Sequence, residues 1–213
     1  MGTLATSSLM NGASGKMGNV VFYNVDGKTY FRQCAENPSN PMSPKQLLQR
    51  NRLLCVQTLF QSVKKCVLKD VLNLAADLEK RRSGYHLFLK LNLNAFGANE
   101  YIDYSLLTFA RGILQLPYNF RLAGSGNGQA EVAWSNDREQ KTAKYTDRLL
   151  VAVVYPDEPF RVMMLPCGDV VRGDEHAVIP LDERGEGAIQ LYCFFADSDL
   201  QSFSDNRYFC INR

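Results

Sequence analysis

The property that most restricts what this chain can fold into is a change of hydrophobic period partway along it. Leu47, Leu48, Leu54, Cys55, Leu59, Val63, Cys66 and Val67 recur at three- and four-residue steps, the spacing that gathers side chains on one face of an α-helix. Beyond Tyr101 the period shortens toward two, with short apolar runs separated by turn residues, as half-buried strands require. Helices and strands therefore fall in separate blocks, which predicts an α+β protein.

The helical block has a legible start. Prolines punctuate residues 37–44, Asn-Pro-Ser-Asn-Pro-Met-Ser-Pro; each removes a backbone donor and restrains its predecessor, so this is an extended connector. Ser43 has the chemistry of an N-cap, Pro44 suits the first helical position, and Gln46 completes a capping box. The spacing predicts a helix from residue 44 into the high 60s, with Lys45, Gln49, Arg50, Arg52, Gln57, Gln61, Lys64 and Lys65 on its polar face. Residues 71–80 keep helical composition. Ser83 opens a further helix through Tyr85, Phe88, Leu89 and Ala95, ending in a left-handed cap at Gly97. The result is a helical hairpin.

Seven strands are expected after Leu116, at residues 117–123, 129–135, 148–155, 160–165, 176–181, 188–196 and 207–211. Ala130, Val132 and Trp134 share one face of the second; Ile189, Leu191, Cys193 and Phe195 share one face of the sixth. Turns are expected at residues 124–128, 156–159 and 185–187. About seven short strands with Trp134 on the second, and no Cys-Trp-Cys frame around it, fit an immunoglobulin or fibronectin III-like sandwich, with the fibronectin variant favoured. Two domains follow: residues 1–112, a hairpin and helical module, and residues 113–213, the β-sandwich.

Ahead of the helices, residues 20–25 and 28–33 flank Asp26-Gly27, a pair suited to a type I′ turn. That register sets Tyr23 opposite Tyr30 and Phe22 opposite Phe31. Val20, Phe22 and Phe31 share one face; Val21, Tyr23, Lys28, Tyr30 and Arg32 share the other.

The formal net charge of +2 conceals a polarity: residues 1–90 hold 13 Lys and Arg against 5 Asp and Glu, and residues 91–213 hold 11 against 17. Opposite charge on two halves favours head-to-tail self-association or a charged partner. Residues 1–11 lack the charged and apolar regions of a secretory signal, and no apolar run approaches the roughly 20 residues a membrane helix needs, so the expected location is cytoplasmic and no membrane partner is expected. Met1-Gly2-Thr3-Leu4-Ala5-Thr6 matches an acylation pattern only formally. Cys34, Cys55, Cys66, Cys167, Cys193 and Cys210 are widely spaced, with no His at metal-ligand distance in sequence. They are expected to be free thiols.

Three groups of residues resemble the signatures of one family: 12–23 (Gly-Ala-Ser-Gly-Lys-Met-Gly-Asn-Val-Val-Phe-Tyr), 27–32 (Gly-Lys-Thr-Tyr-Phe-Arg) and 40–46 (Asn-Pro-Met-Ser-Pro-Lys-Gln). Residues 102–105, Gly112, Leu114, 132–134 and 202–208 extend the resemblance over nearly the whole chain. The family is an uncharacterised bacterial one of about this length, a domain of unknown function met mainly in gut bacteria. Ser43 stands where its pattern has Thr, preserving the capping hydroxyl. The resemblance implies no activity and no functional residues.

Motifs of known chemistry fail residue by residue. Gly15-Lys16 is not a phosphate loop, because Met10 stands where its first Gly belongs and Met17 where Ser or Thr would hold magnesium. His86 and His176 have no nucleophile elbow. Asp157/Glu158 and Asp174/Glu175 fall in turns, as solvated charges do. No catalytic residue, cofactor or metal is indicated. The constellation with binding chemistry is Lys16, Tyr23, Lys28, Tyr30 and Arg32 beside Arg50 on the first helix, where aromatic rings interleave with cations. Two functions are carried forward. The preferred one is a non-enzymatic structural or interaction protein with an assembly or adaptor role, through a protein partner or self-association. The alternative is a binding module for single-stranded nucleic acid or another anionic polymer. An enzyme is the least supported class.

Overall fold

Asp26 and Gly27 decide where the amino-terminal sheet turns: both take positive φ, 49° and 74°, the backbone of a type I′ hairpin. In the computed structural model, which describes residues 2–3, 9–36, 40–97, 101–136, 141–182 and 187–212, this turn joins two strands of an antiparallel sheet. Its strands are β1 (Gly2–Thr3), β2 (Gly15–Met17), β3 (Val20–Val25) and β4 (Lys28–Gln33), in the order β1-β4-β3-β2. Tyr23 lies opposite Tyr30 and Phe22 opposite Phe31, the expected register. Thr29 ties the glycine-rich lead-in to the hairpin, its hydroxyl accepting from the Gly12 N–H at 2.7 Å and lying 2.7 Å from Asn24 Oδ1. Asn24 Nδ2 in turn donates to the Gly12 carbonyl. Three expectations fall partly outside the described residues: the acylation pattern at 4–6, the connector at 37–39 and the turn at 185–186.

The chain divides into two compact units, Met1–Ser43 and Pro44–Arg213. In the second, α1 (Pro44–Val63), α2 (Leu68–Leu78) and α3 (Gly84–Asn92) are followed, among the described residues, by seven strands. The helix expected to reach the high 60s stops at Val63, where the Cys66 thiol donates to the Val63 carbonyl. Gly97 does not make the expected left-handed cap after α3; a left-handed residue instead ends the preceding helix, Lys80 after α2 (φ 53°), with the Arg81 N–H bonded to the Ala76 carbonyl. Asn92 ends α3. Its buried amide donates to the carbonyls of Phe88 and Thr108 and accepts from the Thr108 N–H, which pins the segment at Thr108, while a single 3-10 turn, Leu93–Ala95, carries the helical path on to Ala95.

The strands are β5 (Tyr118–Gly126), β6 (Gln129–Ser135), β7 (Arg148–Val154), β8 (Val162–Leu165), β9 (His176–Pro180), β10 (Ile189–Ala196) and β11 (Arg207–Ile211). They form two antiparallel sheets, β5-β6-β9 and β11-β10-β7-β8. Asn127 and Gly128, both at positive φ, make a second type I′ turn between β5 and β6.

Val132, Trp134 and Ile179 from the first sheet share a core with Val151, Leu191 and Phe195 from the second. The opposite face of the second sheet, with Ala152, Val154, Tyr192 and Phe194, packs on Val56, Leu59, Val63 and Phe88 of the helices. Strand β10 is buried at every position, which explains an apolar run with little alternation. The position 112/113, where a division was expected, falls inside the second compact unit, in which the helices bury their apolar faces on the β-sheet.

The segments carrying the later family signatures hold this unit shut. Asn206 Oδ1 accepts from the N–H groups of Phe109 and Ala110, and Asp205 Oδ1 from that of Gly112. Ser204 Oγ accepts from the Phe195 N–H and donates to the Asp205 carbonyl. Residues 107–114 are thereby strapped against the turn between β10 and β11.

Candidate interaction surface

Alternation along a strand decides what the amino-terminal sheet presents. Lys16 lies opposite Val21, Val21 opposite Arg32, Tyr23 opposite Tyr30, and Val25 opposite Lys28; cross-strand partners share a face. Lys16, Tyr23, Lys28, Tyr30 and Arg32 thus lie on one face. The two tyrosine rings stack, with centroids 5.7 Å apart and planes 17° apart, and are half-buried, while the three cations are exposed. Arg50 belongs to the second unit, exposed on α1. Within Met1–Ser43 the three cations are offset by Asp26 and Glu36, so this unit is close to neutral. The basic character of the first 90 residues lies mostly in residues 44–90, with ten Lys and Arg against three Asp and Glu.

Of the predicted apolar stripe on α1, Leu59 and Val63 are buried, as is Val56 outside it, whereas Leu47 and Leu54 remain 40% and 62% exposed; Leu53, also outside the stripe, is 39% exposed. Residues 37–69 contain no carboxylate and six cations. The outer half of α1 is therefore an apolar, acid-free helical surface. A second apolar surface lies on the same unit, an open groove of about 320 Å³ lined by Leu74, Leu78, Ile113 and Phe203.

The groups that resemble chemistry are structural or exposed. Ser83 Oγ lies 2.8 Å from His86 Nδ1, but Ser83 is the N-cap of α3 and His86 its third helical residue, both on the surface. His176 is exposed, 4.0 Å from Glu131. Burial pushes the Cys66 thiol up, the Cys167 thiol up to about 11, and the Cys193 thiol well above its ordinary value, which suppresses the reactive thiolate. Among the described residues no cluster of three His, Cys, Asp or Glu could hold a metal ion, and no helix is long and apolar enough to cross a membrane.

Arg172 is the residue that sequence reasoning missed. It is buried, with Asp147 Oδ2 3.4 Å from its Nε, the Phe195 ring 4.5 Å beneath its guanidinium and the Gln115 carbonyl bonded to its terminal nitrogen. Its own carbonyl accepts from Trp134 Nε1 and Asn136 Nδ2. Nothing in an Arg-Gly-Asp turn marks the arginine as internal. Desolvation lowers its pKa while Asp147 opposes the shift.

Residues 12–210 match the model of a family of unknown function, DUF6266. No curated protein and no solved structure matches the chain.

Proposed function

The chain belongs to the DUF6266 family of unknown function, and from its own surfaces we propose that it is a non-enzymatic structural or interaction protein with an assembly or adaptor role. The observation that carries this reading is the outer half of α1, where three leucines stay exposed on a helix without carboxylates. Apolar anchors on a helix ringed by cations are the chemistry by which helices engage protein grooves. A β-body of fibronectin III-like kind is consistent with it. Support comes from the order β5-β6-β9 and β11-β10-β7-β8, in which the fourth strand pairs with the third, and from Trp134 on the second strand.

Affinity capture with the full chain from extracts of the source organism, together with light scattering, tests the reading. A stoichiometric protein partner or a defined oligomer is expected. A strict monomer that retains nothing overturns it.

The stacked Tyr23 and Tyr30 with Lys16, Lys28 and Arg32 favour a second reading, a surface for single-stranded nucleic acid or another anionic polymer. The near-neutral balance of that unit places it second. Filter binding of labelled oligonucleotides at low and high salt decides it: affinity that falls steeply with salt and is lost in Tyr23→Ala/Tyr30→Ala supports it, and weak binding without a salt slope sinks it.

A further inference from the structure

We propose that two copies of this chain dock head to tail, the outer half of α1 in one copy lying in the groove between α2 and the β10–β11 turn of the next. This rests on the interaction reading above and names the partner. Leu47 and Leu54 are seven residues apart, about 10 Å along the helix and on one face. Leu53 adds a neighbouring anchor. The helix is continuous and is held to its own body through Val56, Leu59 and Val63, so the outer half cannot fold back onto its own groove.

The groove offers what that helix lacks. Leu78 and Ile113, on its two walls, are 59% and 56% exposed, and Gly112 has no side chain, which lets the 111–113 segment lie directly against the Phe203 carbonyl. Charge is complementary as well. Asp77 and Arg111 both line the groove, and residues 195–206 carry Asp197, Asp199 and Asp205 with no Lys or Arg. The cations held on this side by ion pairs are Lys90 and Arg111. Of these, Lys90 bonds Glu79 at 2.8 Å, while Arg111 bridges Glu79 at 3.4 Å and Asp205 at 3.7 Å. The arriving helix brings Lys45, Arg50 and Arg52 and no carboxylate. Because the two surfaces differ, the contact is heterologous and propagates into a ring or an open filament.

Light scattering of the full chain across concentration and salt reads the outcome, with Leu54→Asp and Ile113→Asp as variants at exposed positions and Leu47→Asp as a second helix variant. The wild type is expected to gain mass with concentration and lose it with salt. Each single variant is expected to associate at least tenfold more weakly. An equimolar mixture of Leu54→Asp and Ile113→Asp is expected to form a one-to-one complex, since one member keeps the groove and the other keeps the helix. If the wild type associates but the mixture stays monomeric, the contact is symmetric and the head-to-tail proposal is overturned. A strictly monomeric wild type also overturns it. The interaction reading then stands only if the wild type, unlike Leu54→Asp, still retains a different protein from cell extract.

Discussion

At Gly112 the absence of a side chain is the requirement, since a methyl group there would overlap the carbonyl oxygen of Phe203. Backbone cannot yield as a flexible side chain can, so Gly112→Ala is expected to cost about 2–3 kcal/mol, read as a lower denaturation midpoint with an unchanged slope. Asp147 and Arg172 make a different case. Both are buried, and removing one charge strands the other, so Asp147→Ala is expected to cost about 3–5 kcal/mol. The double change Asp147→Leu/Arg172→Met is expected to recover most of that loss; a double variant as unstable as the single one would show that packing matters more here than charge. The thiols supply a pH dependence. Cys167 is held at about 11 against an ordinary value of 9.0, so between these values the folded state binds more protons than the unfolded one. That contribution is intact below about pH 9 and is lost as pH rises toward 11, and alkaline denaturation curves of wild type and Cys167→Ala should diverge in that window. At neutral pH, thiol labelling should begin at the exposed Cys210 and reach buried Cys193 only on unfolding.

Elements carry the next distinction, between an apolar face that exists and one that is used. Leu54 and Leu59 occupy the same predicted stripe of α1, yet Leu59 is buried and Leu54 is exposed. Leu59→Ala is therefore expected to destabilise by about 2–4 kcal/mol, and Leu54→Ala by less than about 0.5 kcal/mol. Measured at concentrations too low for self-association, equal losses at both sites would mean that the outer half of the helix packs on its own chain. Periodicity made the helix legible because 3.6-residue spacing is a property of the segment itself; which part of the stripe meets a partner depends on residues a hundred positions away, such as Val162, whose backbone brackets Ser62 Oγ. The hairpin was legible down to its register, because Asp26-Gly27 admits few geometries and the flanking tyrosines and phenylalanines alternate. The seven strands were legible for the same local reason, with their ends shifted by a few residues. Alternation in strand β10 marks one face only, Ile189, Leu191, Cys193 and Phe195, while Tyr192 and Phe194 belong to a second core formed with the helices. Tyr23, Lys28, Tyr30 and Arg32 share a face legibly because they lie within one hairpin, whereas Arg50 sits on a separate unit and the groove, built from three distant segments, left no local trace.

For the whole molecule, the double burial of the β11-β10-β7-β8 sheet decides which pieces can stand alone. A fragment of residues 113–213, the expected sandwich domain, keeps all seven strands but uncovers Ala152, Val154, Tyr192 and Phe194, an apolar face that the helices otherwise close. Such a face drives association of sheets in water. It also loses the strap, since Phe109, Ala110 and Gly112 bond to Asn206 and Asp205 from outside the fragment. The fragment 44–213 retains both cores and the strap. Met1–Ser43 has Thr29 as its only buried residue among those described, too little apolar burial to offset the entropy of ordering its chain. We therefore expect residues 44–213 to unfold in one cooperative transition close to that of the full chain, residues 1–43 to be unfolded in isolation, and residues 113–213 to aggregate or bind a hydrophobic dye without a sharp melt. Circular dichroism in the far ultraviolet and Trp134 fluorescence should report the same midpoint in the 44–213 fragment, because the helices and the tryptophan core flank one shared sheet. If 113–213 melts cooperatively on its own, or the two probes separate, then helices and strands are independent domains and the boundary at 43/44 is the wrong one.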